Sequence, residues 1–191
     1  MVDAEELRFR NYRVLQPDGT VSAQELYIFD LHLRALIMKA MAVIETELQV
    51  KLGALQSNKN FVTFGELRKK TSELPSEAKQ KIAISFGCHN PRELAGLLLN
   101  FNEARNLAAH HSRLWNRNFH YAIPEKRLGS INPGQGLVKH GNSFAACFLS
   151  IESVLKGFPT LIDFRTEFEN LVSSSPLDTK FLLSGMGFEL S

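Results

Sequence analysis

Apolar residues recur at steps of three and four along most of this chain. From Leu33 they fall at Leu36, Ile37, Ala40, Ile44, Leu48, Leu52 and Leu55, which is one stripe of a long helix. Gly53 and the run Ser57-Asn58-Lys59-Asn60 end it. A short segment, 61–69, leads to a second helix opened by Pro75-Ser76-Glu77, which runs through Ile82 and Ile84 to Phe86-Gly87. Asn90-Pro91 opens a third, with Asn at the N-cap and Pro in the first turn. Its stripe is Leu94, Leu97, Leu98, Phe101 and Ala104, and the pattern continues weakly toward Trp115. Four glycines and a proline make 128–141 read as a loop. Phe144, Cys147, Phe148, Ile151 and Leu155 mark a fourth helix, and Leu161, Phe164, Phe168 and Leu171 a fifth. A Ser-rich break and a short C-terminal piece follow. With no internal repeat, heptad run or alternating strand pattern, the chain is predicted to be an all-α bundle.

Composition narrows the class without naming it. A chain of 191 residues, 44% hydrophobic and 22% charged, fits a single globular domain over 1–191 and excludes a disordered chain or a fibrous rod. Cys88 and Cys147 form no C-x-x-C pair, too few for a disulfide scaffold or a cysteine zinc site, and read as small core residues in a reducing cytosol. The longest apolar stretch, 35–55, is interrupted by Lys39, Glu45, Glu47 and Lys51, so no membrane span is expected. Acids fill the N-terminus, Met-Val-Asp-Ala-Glu-Glu, where a secretory signal carries positive charge. A cytoplasmic protein without a membrane partner is the expectation.

Net charge is only +2, but its distribution is uneven. The window 105–127 carries Arg105, Arg113, Arg117, Lys126 and Arg127 against Glu125, a net +4 that leaves −2 for the rest of the chain. Three of the six histidines, His110, His111 and His120, lie there too. A local basic patch on a near-neutral body suits an anionic ligand held at one place.

The densest polar segment is RNLAAHHSRLWNR, 105–117. Treated as a helix, it puts Asn106, His110, Arg113 and Arg117 on one stripe less than a quarter of a turn wide. Arg105 falls on its flank, and His111 points away. Alternatively, these residues are an ordinary solvated face, and the asparagines are caps. Trp115 is a candidate stacking platform for a base, or a core residue beside an apolar stripe. Asp30 and Glu45, on the first long helix, are candidates to pair with Arg105 or Arg113, or are exposed helix charges. His32, His89 and His140 are scattered without metal-ligand spacing, so neither a metal nor another cofactor is expected.

Arg105-Asn106, three residues and then His110 match the R-[N/D/H]-x-x-x-H pattern of the HEPN ribonuclease superfamily. In order, LYIFDLHLRALIMKAMAVIETELQVKL (26–52), FVTFGELRKK (61–70), IAISFG (82–87), RNLAAHHSRLWNR and the closing GMGF (185–188) resemble the Abi-like family, the AbiD/AbiF type of bacterial abortive-infection protein. The resemblance covers 26–188, leaving 1–25 as an N-terminal extension. It implies a HEPN-like helical bundle, with a long loop after the motif helix and short C-terminal helices. It also implies a metal-independent endoribonuclease of phage defence or of a toxin-type system. Arg105 would clamp phosphate, His110 would act as acid/base, and Asn106 would position substrate or fix the His110 tautomer. Arg113, Arg117 and His111 would bind RNA, with Glu45 and Asp30 in support. The partners implied are RNA, a second copy of the chain sharing a composite site, and a cognate protein or RNA inhibitor. The competing reading is a non-catalytic helical module that binds RNA or a protein through the same basic cleft, and a third is a plain dimerising adaptor.

Overall fold

The computed structural model describes residues 9–13, 22–53, 63–131, 138–158 and 162–189. Among them are a 3-10 turn, Arg10–Tyr12, and eight α-helices. These are α1 (Ala23–Lys51), α2 (Phe64–Glu73), α3 (Ser76–Ser85), α4 (Pro91–Ala109), α5 (Glu125–Ile131), α6 (Phe144–Leu155), α7 (Phe164–Ser173) and α8 (Thr179–Met186). No strand occurs among the described residues; the sheet-like pairing consists of isolated bridges, Asn118 with Ser143 and Val138 with Phe188. The all-α expectation holds.

Helix α1 is the spine, and it touches α2, α4, α6, α7 and the 3-10 turn. Its stripe of Leu33, Ile37, Ala40, Ile44 and Leu48 is fully buried, as the spacing predicted. The helix begins ten residues before that stripe because Leu26 and Phe29 are buried as well. The predicted stop around 54–60 lies outside the described residues. Helix α6 is sequestered almost all round, and its Phe148 ring sits 4.8 Å from Phe164 and 4.3 Å from Phe168. Each such ring contributes about 1.5–3 kcal/mol by leaving water.

Local chemistry fixes the helix starts. Thr63 and Glu66 form a reciprocal capping box at α2. Asn90 accepts from the Glu93 amide at 2.9 Å with Pro91 behind it, as the sequence predicted for α4. Ser143, Asp163 and Asp178 cap α6, α7 and α8 in the same way.

Two expectations need correction. The segment 128–141 is not all loop: Glu125–Ile131 is helical, with Arg127 buried on its inner face. More important for function, the third helix does not run to Arg117; α4 ends at Ala109.

Candidate RNA-processing site

The end of α4 builds the site. His110 is the C-cap, His111 follows at φ 58, and the chain turns out of the helix. The His111 amide donates to the Ala108 carbonyl at 3.3 Å and the Ser112 amide to Leu107 at 2.8 Å. This is the Schellman closure, normally built on glycine. Helix α3 closes in the same pattern on Gly87, with Gly87 donating to Ile84 and Cys88 to Ala83. At α4 a histidine occupies that left-handed position, which costs about 1–2 kcal/mol relative to glycine. The residues on either side of the turn therefore cannot share one helical stripe. Asn106 stays on the helix and His110 is exposed at its end, while Arg113 and Arg117 belong to the loop.

A carboxylate from α1 holds that loop. Fully buried Asp30 accepts from the Leu114 amide at 2.9 Å and the Trp115 amide at 2.6 Å through Oδ1. Its Oδ2 takes the Tyr12 hydroxyl at 2.9 Å, and Arg34 Nε lies 3.4 Å away. Burial pushes the Asp30 carboxyl above its usual range; the Trp115 amide, Tyr12, the Leu114 amide and Arg34 pull it back. Asp30 thus supports the motif segment, but through the backbone after it, not by pairing with Arg105 or Arg113.

Trp115 locks the other side. Its indole is buried, donates to the Leu182 carbonyl at 3.1 Å and stacks at a tilt on Phe181, 5.1 Å between centroids. It is a core residue and no platform for a base. Gly185 faces it so closely that a Cβ there would fall 2.2 Å from Cζ2 of the indole. Two residues on, Gly187 adopts φ +90, and a Cβ there would meet the Ser143 side chain at 2.5 Å. The GMGF segment is therefore a packing device for the motif loop.

Arg105 faces α1, with Nη2 4.0 Å from Glu45 Oε1 and both side chains part-buried. Burial raises the Glu45 carboxyl, while Arg105 and a hydrogen bond with the Phe64 backbone lower it. The expected pairing of Glu45 with Arg105 is present. Arg113 gives Nη1 to the Asn11 carbonyl in the 3-10 turn. Arg117 is part-buried in the loop, with a buried Nε lacking a hydrogen bond. Arg127 drops out of the basic patch. It is 2% exposed and its guanidinium bonds Glu93 at 2.8 Å and the Gly87 carbonyl at 3.1 Å. Burial raises the Glu93 carboxyl, but Arg127 and His89 outweigh it and hold it below its usual range.

Two residues that carried no motif signal join the same helix face. Glu103, Asn106 and His110 stand at i, i+3 and i+7 on α4. The Glu103 carboxylate takes His120 Nδ1 at 2.7 Å and the His120 amide at 2.8 Å. Seventeen residues separate them in sequence, which is why spacing did not reveal the pair. The loop beyond is tied down by Asn100 Nδ2 to the Tyr121 carbonyl at 2.6 Å and by Phe119 N–H to the Asn142 carbonyl at 2.8 Å. A cavity of about 450 Å³ lined by His89, Arg92, Glu93 and Lys126 opens at the far, N-terminal end of α4.

Among the described residues, no group of three or more His, Cys, Asp or Glu gathers as a metal site, and no helix is long and apolar enough to cross a membrane. No curated protein and no solved structure matches the chain significantly. The family model for Abi-like proteins matches residues 57–116, the stretch that includes α2, α3, the whole of α4 and the clamped turn to Asn116. Over that stretch the chain is similar to Abi-like proteins.

Proposed function

We propose that the protein is a metal-independent endoribonuclease of a phage-defence (abortive-infection) or toxin-type system, acting through Arg105, Asn106 and His110. The Abi-like match supports the defence role. The observation that carries the chemistry is the end of α4: an exposed imidazole, a part-buried guanidinium braced by Glu45, and a loop fixed by Asp30.

Cutting RNA without a metal needs a base for the 2′-hydroxyl, an acid for the leaving 5′-oxygen and cationic stabilisation of the phosphorane. In this reading His110 removes the 2′-proton and Arg105 steadies the phosphate oxygens. Asn106, one turn before His110, positions substrate or imidazole. Products are a 2′,3′-cyclic phosphate and a free 5′-hydroxyl. A two-fold dimer would bring two such ends to one groove and double its positive charge. A chain that cuts host RNA needs restraint, so a cognate inhibitor, protein or RNA, belongs to the proposal.

The test is cleavage of a labelled, mixed-structure RNA in EDTA by wild type and by His110→Ala, both checked for helicity and oligomeric state. Cutting that disappears in the variant and leaves cyclic-phosphate ends is the expected result. RNA binding by both without cutting would overturn it, and the binding module would take its place.

A further inference from the structure

One motif imidazole per chain cannot serve as both base and acid in a single step, and the loop after α4 offers a second. Glu103 is mostly buried, with 11% of its side chain exposed, whereas His120 beside it is 78% exposed. Both oxygens of this carboxylate are used on one residue, one on the ring and one on the His120 backbone amide. An ionised carboxylate only accepts, so Nδ1 carries the proton and Nε2 is left facing solvent. Glu103 thus sets both the tautomer and the orientation of an exposed ring. The neighbouring bonds to Phe119 N–H and the Tyr121 carbonyl fix the backbone on either side. An exposed loop histidine with no task would not need this bracing.

Position completes the argument, which rests on the ribonuclease reading above. Glu103 and His110 share a face of α4, about 10 Å apart along its axis. A phosphate hydrogen-bonded at both ends spans about 8 Å. Tyr121, 45% exposed, follows His120 and offers a ring on which a base can stack.

We infer that His120, oriented by Glu103, is the second acid/base group of the site and protonates the leaving 5′-oxygen. The 2′-oxygen forms its bond to phosphorus as the bond from phosphorus to the 5′-oxygen breaks. The 2′-proton passes to His110, and His120, acting as the imidazolium with its Nδ1–H held by Glu103, gives its Nε2 proton to the departing alkoxide. Glu103 is a positioning residue. The acid then comes from the same chain, without the second chain's His110.

The test uses two RNAs, an ordinary one and one whose scissile 5′-bridging oxygen is replaced by sulfur, because a thiolate leaves without protonation. His120→Asn should lower cleavage of ordinary RNA by about 10²–10⁴-fold and cut the sulfur substrate within about tenfold of wild type. His110→Ala should fail on both, and Glu103→Gln should show a weaker form of the His120→Asn pattern. Since the His120 ring is exposed, folding is not at risk, and Trp115 emission checks it. His120→Asn cutting ordinary RNA at the wild-type rate would overturn the inference and leave the partner copy's His110 as the acid. Equal loss on both substrates would also overturn it, making His120 a binding or structural residue. If wild type cuts neither RNA, the ribonuclease reading itself falls, and the inference with it.

Discussion

Asp30 and Trp115 are joined by a 2.6 Å hydrogen bond from the Trp115 amide to the Asp30 carboxylate, 85 residues away in the chain and fully buried. Together with the Leu114 amide and the Tyr12 hydroxyl, this carboxylate decides where the chain goes after α4. Asp30→Asn replaces an acceptor-only group with one that brings two donors to the same pocket. The expected loss is about 3–5 kcal/mol, read as a lower denaturant midpoint. Tyr12→Phe removes one donor and should cost about 1 kcal/mol.

His111 occupies a left-handed position that glycine fills without strain. His111→Gly should therefore raise stability by about 1–2 kcal/mol, an unusual gain for the replacement of a motif-adjacent residue. If His111 serves RNA binding as well, the same variant will bind RNA less tightly while melting later.

Gly185→Ala places a methyl inside the Trp115 ring. Overpacking of that kind costs about 1–3 kcal/mol, and here it should also free the end of α4. Since the chain has a single Trp, a red shift of its emission reports the change directly.

Glu152 gives a pH prediction with a definite sign. Burial raises its carboxyl, but the fork of Arg165, at 3.0 and 2.5 Å, and Lys156 outweigh it and leave it below the usual 4.5. A depressed folded value means that this stability is present above pH 4.5 and is lost as pH falls through the folded value. Glu152→Gln should be less stable at neutral pH and should lose less between neutrality and strong acid. Thermal melts across pH 3–7 (about the range in which carboxylates titrate) test this.

The two thiols should stay silent in the native protein. Burial pushes Cys88 up to about 11 and Cys147 higher still. A thiol reagent at pH 8 should label neither until denaturant unfolds the chain.

Much of the bundle was legible because helices such as α1 and α4 each bury one stripe. The spacing Leu33 to Leu48 and the Asn90-Pro91 cap translate directly into α1 and α4. What sequence reading missed has one cause. The stop after Ala109 carries neither Gly nor Pro, since His111 takes the glycine place and the force that bends the chain comes from Asp30 on another helix. Helix α5 was hidden by Gly129 and the glycines after it, although Arg127 and Glu93 anchor it. Arg105, Asn106 and His110 were visible as a pattern; Glu103 with His120 is a pair that only the fold brings together.

The contact of Gly185 with Trp115 also sets a time. Residues 181–188 are made near the end of those described, yet the turn beyond His110 leans on them. Until they have left the ribosome, Trp115 has no wall to pack against and the loop carrying the basic residues has no fixed path. A nascent chain shorter than that has nothing to hold the Trp115 indole, so the turn beyond His110 takes its final place only after synthesis has passed Phe188.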